Sequence, residues 1–208
     1  MKTFSGLGVS AGIGQAPALL VEPAPGLPAR DPKGDTDDDV ARVTAALSKV
    51  ADRLDARALE ADPSAIGVLM ATAMMARDPG LTSSVRTHLE EGDGPAHALW
   101  GAIDDFCAQL TAAGGYLAER VTDLHNVRDR TLAVLQGLPE PGVPAFDSPV
   151  ILVAEDLAPA DTATLDPELV RGLVTAAGGP TSHTAILAAQ IGIPAVVRCP
   201  GIREVESG

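Results

Sequence analysis

The sequence predicts an α/β layer interrupted by an inserted all-α helical bundle subdomain. Three observations carry that expectation. Apolar residues step by three and four along residues 35–136, the period of an amphipathic helix. Short apolar runs bounded by glycine, of strand length, stand on both sides of that region. Prolines cluster at the two junctions, Pro23 to Pro32 and then Pro139, Pro141 and Pro144. The expected division is residues 1–30 as N-terminal strands, 31–140 as the helical insert and 141–208 as the remaining α/β part.

The elements follow in order. FSGLGVS and Gln15 to Val21 read as short strands broken by glycines. Asp35, Thr36, Asp37, Asp38 and Asp39 suit a helix N-terminus, where the backbone dipole favours negative charge. Val40, Val43, Leu47, Val50 and Leu54 then mark one helical stripe. Pro63 opens a second helix, at a position where its missing N–H costs nothing. Leu81, Val85 and Leu89 mark a third, after the Asp78-Pro79-Gly80 break. Ala98 to Leu110 marks a fourth, closed by Gly114-Gly115, and Leu117 to Leu135 a long fifth, closed by Gly137. Short connections make this an antiparallel bundle. Val150–Val153 is a buried strand, Leu157–Leu165 a short helix with Asp156 as its cap, and Leu169–Thr175 a second buried strand. Ala185–Ile191 is helical, and Pro194–Val197 begins another strand. This β-α-β-α-β order implies a parallel or mixed sheet. The closing GIREVESG adds no further element, so the chain is expected to be a piece of a larger protein, with an unpaired edge at its last strand.

Composition narrows the function. The net charge is −13 and aromatic residues make up 2% of the chain. Both argue against nucleic acid, which needs cationic grooves and stacking platforms. The N-terminal run is broken by Gly6, Gly8, Gly12 and Gly14, a poor signal-peptide core. No stretch has the ~18 continuous apolar residues of a membrane span. Cys107 and Cys199 are far apart, a pattern of the reducing cytoplasm rather than of a disulfide scaffold. No C-x-x-C or H-E-x-x-H spacing exists, so no protein-built metal site is expected.

Four histidines remain. His88, His97 and His125 lie in polar helical or turn contexts and read as solvated surface residues. His183 differs. It stands in GGPTSHTAI, after a strand and a small-residue turn, at the start of a helix. The first N–H groups of a helix have no intrahelical partners and favour an anion. Thr181, Ser182 and Thr184 add hydroxyls. A helix N-terminus disfavours imidazolium and keeps the ring nucleophilic. No carboxylate is local in sequence, which suits a phosphoryl dianion. Phosphohistidine chemistry, general-base or ligand duty, and a purely structural turn all fit the residues alone.

GGPTSHTAILAAQIGIPAVV resembles the phosphohistidine signature of phosphoenolpyruvate-utilising enzymes. FSGLGVSAGIGQAPALL, YLAERVTDLHNVRDR and ILVAEDLAPADTATL are similar to segments of Enzyme I of the sugar phosphotransferase system. The resemblance covers nearly the whole chain. It implies an α/β swivelling phosphohistidine domain carrying the helical insert, and a cytoplasmic phosphotransferase. The enzyme takes phosphoryl from phosphoenolpyruvate onto His183 and passes it to the phosphocarrier HPr. It implies Thr162 as the residue holding the active-site ring, with Gly179, Thr181, Ser182 and Thr184 as supports. It implies Met75, Asp78, Leu81 and Arg120 as the HPr-docking positions on the insert. Phosphoenolpyruvate and Mg²⁺ would bind a C-terminal barrel outside these residues, which also dimerises; the piece alone is expected to be a monomer that binds neither and only exchanges phosphoryl with HPr. From Asp31 to Glu140 there are 10 Lys and Arg against 19 Asp and Glu, a net of −9, which would steer a basic partner. Pro180 and Thr72 depart from the resemblance, standing where relatives carry Arg or His. The alternatives are the swivelling domain of a pyruvate phosphate dikinase or phosphoenolpyruvate synthase-like enzyme, and a non-catalytic binding module.

Overall fold

The computed structural model describes residues 2–61, 63–144, 146–157, 159–162 and 165–205. The chain divides into two compact units, Met1–Pro23 with Gly142–Gly208, and Ala24–Pro141. The first boundary therefore precedes the expected residue 31. Residues of the proline-rich passage are tied to helices of the second unit: Gln136 Nε2 donates to the Gly26 carbonyl at 3.0 Å, and the Asp31 carboxylate accepts from the His97 backbone N–H at 2.8 Å.

The helical unit contains α1 (Thr36–Glu60), α2 (Pro63–Ala76), α3 (Pro79–Glu91), α4 (Pro95–Ala113), α5 (Gly115–Glu119) and α6 (Val121–Gln136). Local chemistry sets their starts. Asp35 caps α1, accepting from the Asp37 and Asp38 N–H groups at 2.9 and 3.3 Å, with three acidic residues in the first turn. Asp78 caps α3, where Pro79 occupies the first position. The a/d stripe of α1 is inward: Val43, Leu47, Val50 and Leu54 are fully buried, as are Leu69, Leu81, Leu89, Leu99, Ile103 and Leu132 of the other helices. Each such side chain contributes roughly 1.5–3 kcal/mol of transfer free energy.

Two expectations need correction here. The long fifth helix is two helices. The chain tightens at Arg120, whose N–H reaches the Leu117 carbonyl at 3.0 Å. Its guanidinium bonds Asp123 at 2.7 Å and also Tyr116, bracketing the corner. The solvated reading of the histidines holds only in part, since the His97 side chain is 41% exposed and that of His88 is 21% exposed. His88 Nε2 lies 2.9 Å from Asp105 Oδ2, and the ring fills the space that a Cβ on Gly101 would take. His97 Nδ1 lies 3.1 Å from the Asp31 carboxylate. His125 is half-buried.

The α/β unit is built on β1 (Leu7–Ser10), β2 (Ala18–Leu20), β3 (Val150–Ala154), β4 (Val170–Thr175) and β5 (Ala195–Val197), with α7 (Pro159–Thr162) and α8 (His183–Gln190). The sheet order is β1-β5-β4-β3-β2. Strands β2 to β5 are mutually parallel, and β1 runs antiparallel to β5. Leu7 pairs with Val197, so the last strand is covered on both sides rather than left as an open edge; the edges are β1 and β2. The unbroken apolar run of β3 follows from burial on both faces. Leu152 and Ala154 pack with Leu157, Leu173, Ala188 and Ile193. Val153 packs with Cys199 and Ile202 on the other face. Cys107 and Cys199 are free and buried, and burial pushes both thiols above their ordinary value. No described helix is long and apolar enough to cross a membrane.

Candidate functional site

Three adjacent parallel strands end at one place. Asp156 follows β3, the GGPTSH loop follows β4 and Arg198 follows β5. The carboxyl ends of parallel strands are where open α/β sheets assemble sites, because the loops there converge. Backbone hydrogen bonds fasten the loop to its neighbours. Ala176 and Ala177 N–H donate to the Ala154 and Glu155 carbonyls at 3.0 and 2.8 Å. From the other side, Arg198 and Cys199 N–H donate to the Ala177 and Thr175 carbonyls at 3.2 and 3.0 Å. The Thr175 hydroxyl closes back on the Ala177 carbonyl at 2.9 Å.

The loop then turns into α8. Gly178 has φ 86°, which a side-chain-bearing residue adopts only with strain. The Gly179 carbonyl accepts from the Ser182 N–H at 3.0 Å, a four-residue turn with Pro180 at its second position. Proline presets φ for that position, so Pro180 shapes the approach to the helix. Ser182 has extended backbone and caps α8, its Oγ accepting from the Ala185 N–H at 3.3 Å. His183 is thereby the first residue of α8.

The supporting residues divide by what their side chains do. Thr181 is exposed on the turn, and Gly179 is half-buried beside it. The Ser182 hydroxyl is engaged in the cap. Thr184 is 1% exposed; its hydroxyl faces the Leu157 carbonyl at 3.3 Å and Asp156 Oδ1 at 3.4 Å. It bonds inward, tying α8 to the segment after β3. Thr162 is buried at the end of α7, which packs against α8.

Two residues near the loop were not foreseen in this role. Asp156 was expected only as a helix cap, with no carboxylate close to the histidine segment. Its Oδ1 does accept from the Leu157 N–H at 2.9 Å, and it also lies 3.8 Å from where a Gly178 Cβ would stand. A carboxylate therefore does adjoin the loop, brought there by the β3–β4 pairing rather than by sequence. The second is Arg198, whose Nε donates to the Gly178 carbonyl at 3.0 Å. Sequence offered only the turn-forming Pro200-Gly201 after it as a signal.

In the helical unit, Met75 is half-buried and Asp78 is exposed, with its carboxylate engaged at the Gly80 N–H at 2.7 Å. Arg120 is held by Asp123 and Tyr116, and the hydrogen bond it donates to Asp123 raises its pKa further. Leu81 is 0% exposed: it is a core residue beneath α3, not part of a surface. Thr72 is also buried, its hydroxyl donating to the Val68 carbonyl at 2.9 Å. What α2 does present is Met70 and Met74, 51% and 71% exposed and one turn apart.

Comparison with known proteins agrees with this layout. Residues 5–120 match the family described as PEP-utilising enzyme, N-terminal, and residues 146–208 match PEP-utilising enzyme, mobile domain. The chain is 46% identical over 99% of its length to a phosphoenolpyruvate-protein phosphotransferase of Streptomyces coelicolor, and 35% identical over 100% of its length to one of Staphylococcus carnosus. It spans 37% of the length of each. The NMR solution structure of an Enzyme I protein superposes with TM-score 0.84 at 28% identity, covering 99% of this chain and 87% of that one. The N-terminal domain of a nitrogen Enzyme 1 shares the fold, with TM-score 0.61 at 22% identity. With one family description matching more than half of the chain and a second matching the histidine-bearing unit, the chain belongs to the PEP-utilising enzymes.

Proposed function

We propose that this chain carries the phosphohistidine step of phosphoenolpyruvate-dependent phosphoryl transfer, with His183 as the residue phosphorylated and HPr as the protein that exchanges phosphoryl with it. The observation that carries the reading is the place of His183: first residue of α8, at the carboxyl ends of β3, β4 and β5. That position has backbone N–H donors at the positive end of a helix dipole, which favour an anion.

The chemistry is an in-line displacement at phosphorus. A ring nitrogen lone pair of His183 forms the new N–P bond. The bond to the leaving group breaks with its electron pair: the oxygen of enolpyruvate in the forward direction, or the ring nitrogen of the HPr histidine in the reverse one. Charge on phosphorus oxygens is balanced by fixed dipoles, so positioning and electrostatics do most of the work. Thr162 would orient the ring and Thr181 would contribute a hydroxyl donor.

For the partner, the supporting features lie in the helical unit. Met70 and Met74 offer an exposed, adaptable apolar strip beside Met75 and Asp78. The net charge of −9 from Asp31 to Glu140 favours encounter with a basic surface.

The test is incubation with phospho-HPr carrying labelled phosphoryl, followed by assay for acid-labile, base-stable label on the chain. Label is expected on the parent and absent from His183→Ala. Label persisting in His183→Ala would sink the assignment. An HPr titration that shifts resonances of α2 supports the docking reading; a titration leaving the helical unit unmoved would favour a small-molecule role.

A further inference from the structure

Among the described residues, Arg198 alone is a non-glycine with positive φ, at 51°. That left-handed conformation is strained for an ordinary residue, and such strain concentrates where a side chain must be aimed. Here the aim is visible. Arg198 leaves the carboxyl end of β5, and its Nε donates to the Gly178 carbonyl at 3.0 Å. Its Nη2 lies 3.3 Å from where a Cβ on Gly179 would stand. Gly179 thus leaves the room that the guanidinium occupies. The side chain is exposed, and no ion pair involving it occurs among the described residues. Gly179 is the first residue of the turn closed by the Ser182 N–H, so it lies within about 7 Å, Cα to Cα, of the residue preceding His183.

Resting on the phosphohistidine reading above, we propose that Arg198 is the cation that holds the phosphoryl group carried by His183. The Nε–H is engaged by the loop, which orients the plane of the guanidinium. The N–H groups on Nη1 and Nη2 can then fork onto two phosphoryl oxygens, the geometry that makes arginine a phosphate binder. Asp156, on the other side of the loop near Gly178, acts in the opposite sense and repels the dianion. The arginine therefore offsets a carboxylate that the fold places beside the site. Since the cation favours the dianionic form, it also lowers the pH at which the phosphoryl group takes up its second proton, ordinarily near 6.

Arg198→Gly separates this role from a structural one. Glycine adopts φ 51° without strain, which offsets the exposed hydrogen bond lost to the Gly178 carbonyl, so the variant is expected to unfold within a few degrees of the parent. Equilibrated with labelled phospho-HPr, it should hold about tenfold less label than the parent, the scale of a lost charge-assisted pair. The ³¹P resonance of its phosphohistidine should titrate at higher pH than the parent's. Arg198→Lys, keeping the charge without the fork, should lie between. If the glycine variant matches the parent in both label and titration midpoint, the proposal is overturned. If label falls but the midpoint stays, Arg198 only braces the loop, and the proposal is again overturned. A parent chain that takes no label, or keeps it in His183→Ala, overturns the phosphohistidine reading and this one with it.

Discussion

In the helical unit, charged side chains answer one another. Arg77 forks between Asp52 and Asp55, each at 2.7 Å; Arg86 meets Asp37 at 2.8 Å; Arg53 and Arg130 share Glu140. In the α/β unit, the polar groups converge on a stretch of backbone instead. Asp156, Thr175, Thr184 and Arg198 all address the segment 175–184 or the strand ends beside it. These pairs tie a helix to another helix or to the chain beside one. Polar groups aimed at a loop's carbonyls and hydroxyls fix its shape. The difference separates a scaffold from a site, and it can be broken experimentally at one residue in each unit.

The largest effect is expected at Arg130. It is fully buried, donates from Nε to Asn126 Oδ1 at 2.8 Å and is ion-paired to Glu140. Its loss removes the donor to Asn126 Oδ1 and leaves Glu140 with Arg53, at a cost of about 3 kcal/mol, the lower end for a broken buried pair. Arg130→Leu should lower the unfolding free energy obtained from urea titration by that amount. Hydrogen exchange should show the loss in α4 and α6, with β3 and β4 amides still protected. Equal loss of protection in β3 and β4 would mean that the two units share one unfolding unit.

A smaller effect is expected at Thr184. Thr184→Val keeps the shape and deletes the hydroxyl that faces Leu157 and Asp156. One buried hydrogen bond of this kind is worth about 0.5–1.5 kcal/mol. Stability should fall by that much, while label accepted from phospho-HPr per folded molecule stays unchanged. A drop in label at constant folding would show that this hydroxyl serves the phosphoryl group directly, as the resemblance implied.

These cases show what could be read from sequence. Helical period, proline at first positions and acidic caps are local properties, so the helices from Asp35 to Gly137 were legible nearly residue by residue. The corner at Arg120 was not, because it depends on where Asp123 and Tyr116 project once the helix packs. The loop–helix character of GGPTSHTAI was legible for the same local reason. Asp156 and Arg198 were not, since they stand 27 residues before and 15 after His183 and reach the loop only through strand pairing. Leu81 illustrates the reverse error. A resemblance can mark a position as important without saying which way its side chain faces.

The smallest effect tests the helical unit by pH. Half-buried His125 has its pKa lowered, first by loss of hydration and then by Arg128, with Asp129 and Asp104 opposing. The folded imidazole therefore protonates below the ordinary value of 6.5. The unfolded chain binds this proton more readily, so acid favours unfolding. The contribution is fully present above pH 6.5 and is lost as pH falls through that value toward the folded pKa. His125→Gln should flatten the dependence of the urea midpoint on pH in that window, leaving the value at pH 8 close to the parent's apart from any packing change. A variant retaining the parent's slope would assign the acid sensitivity elsewhere.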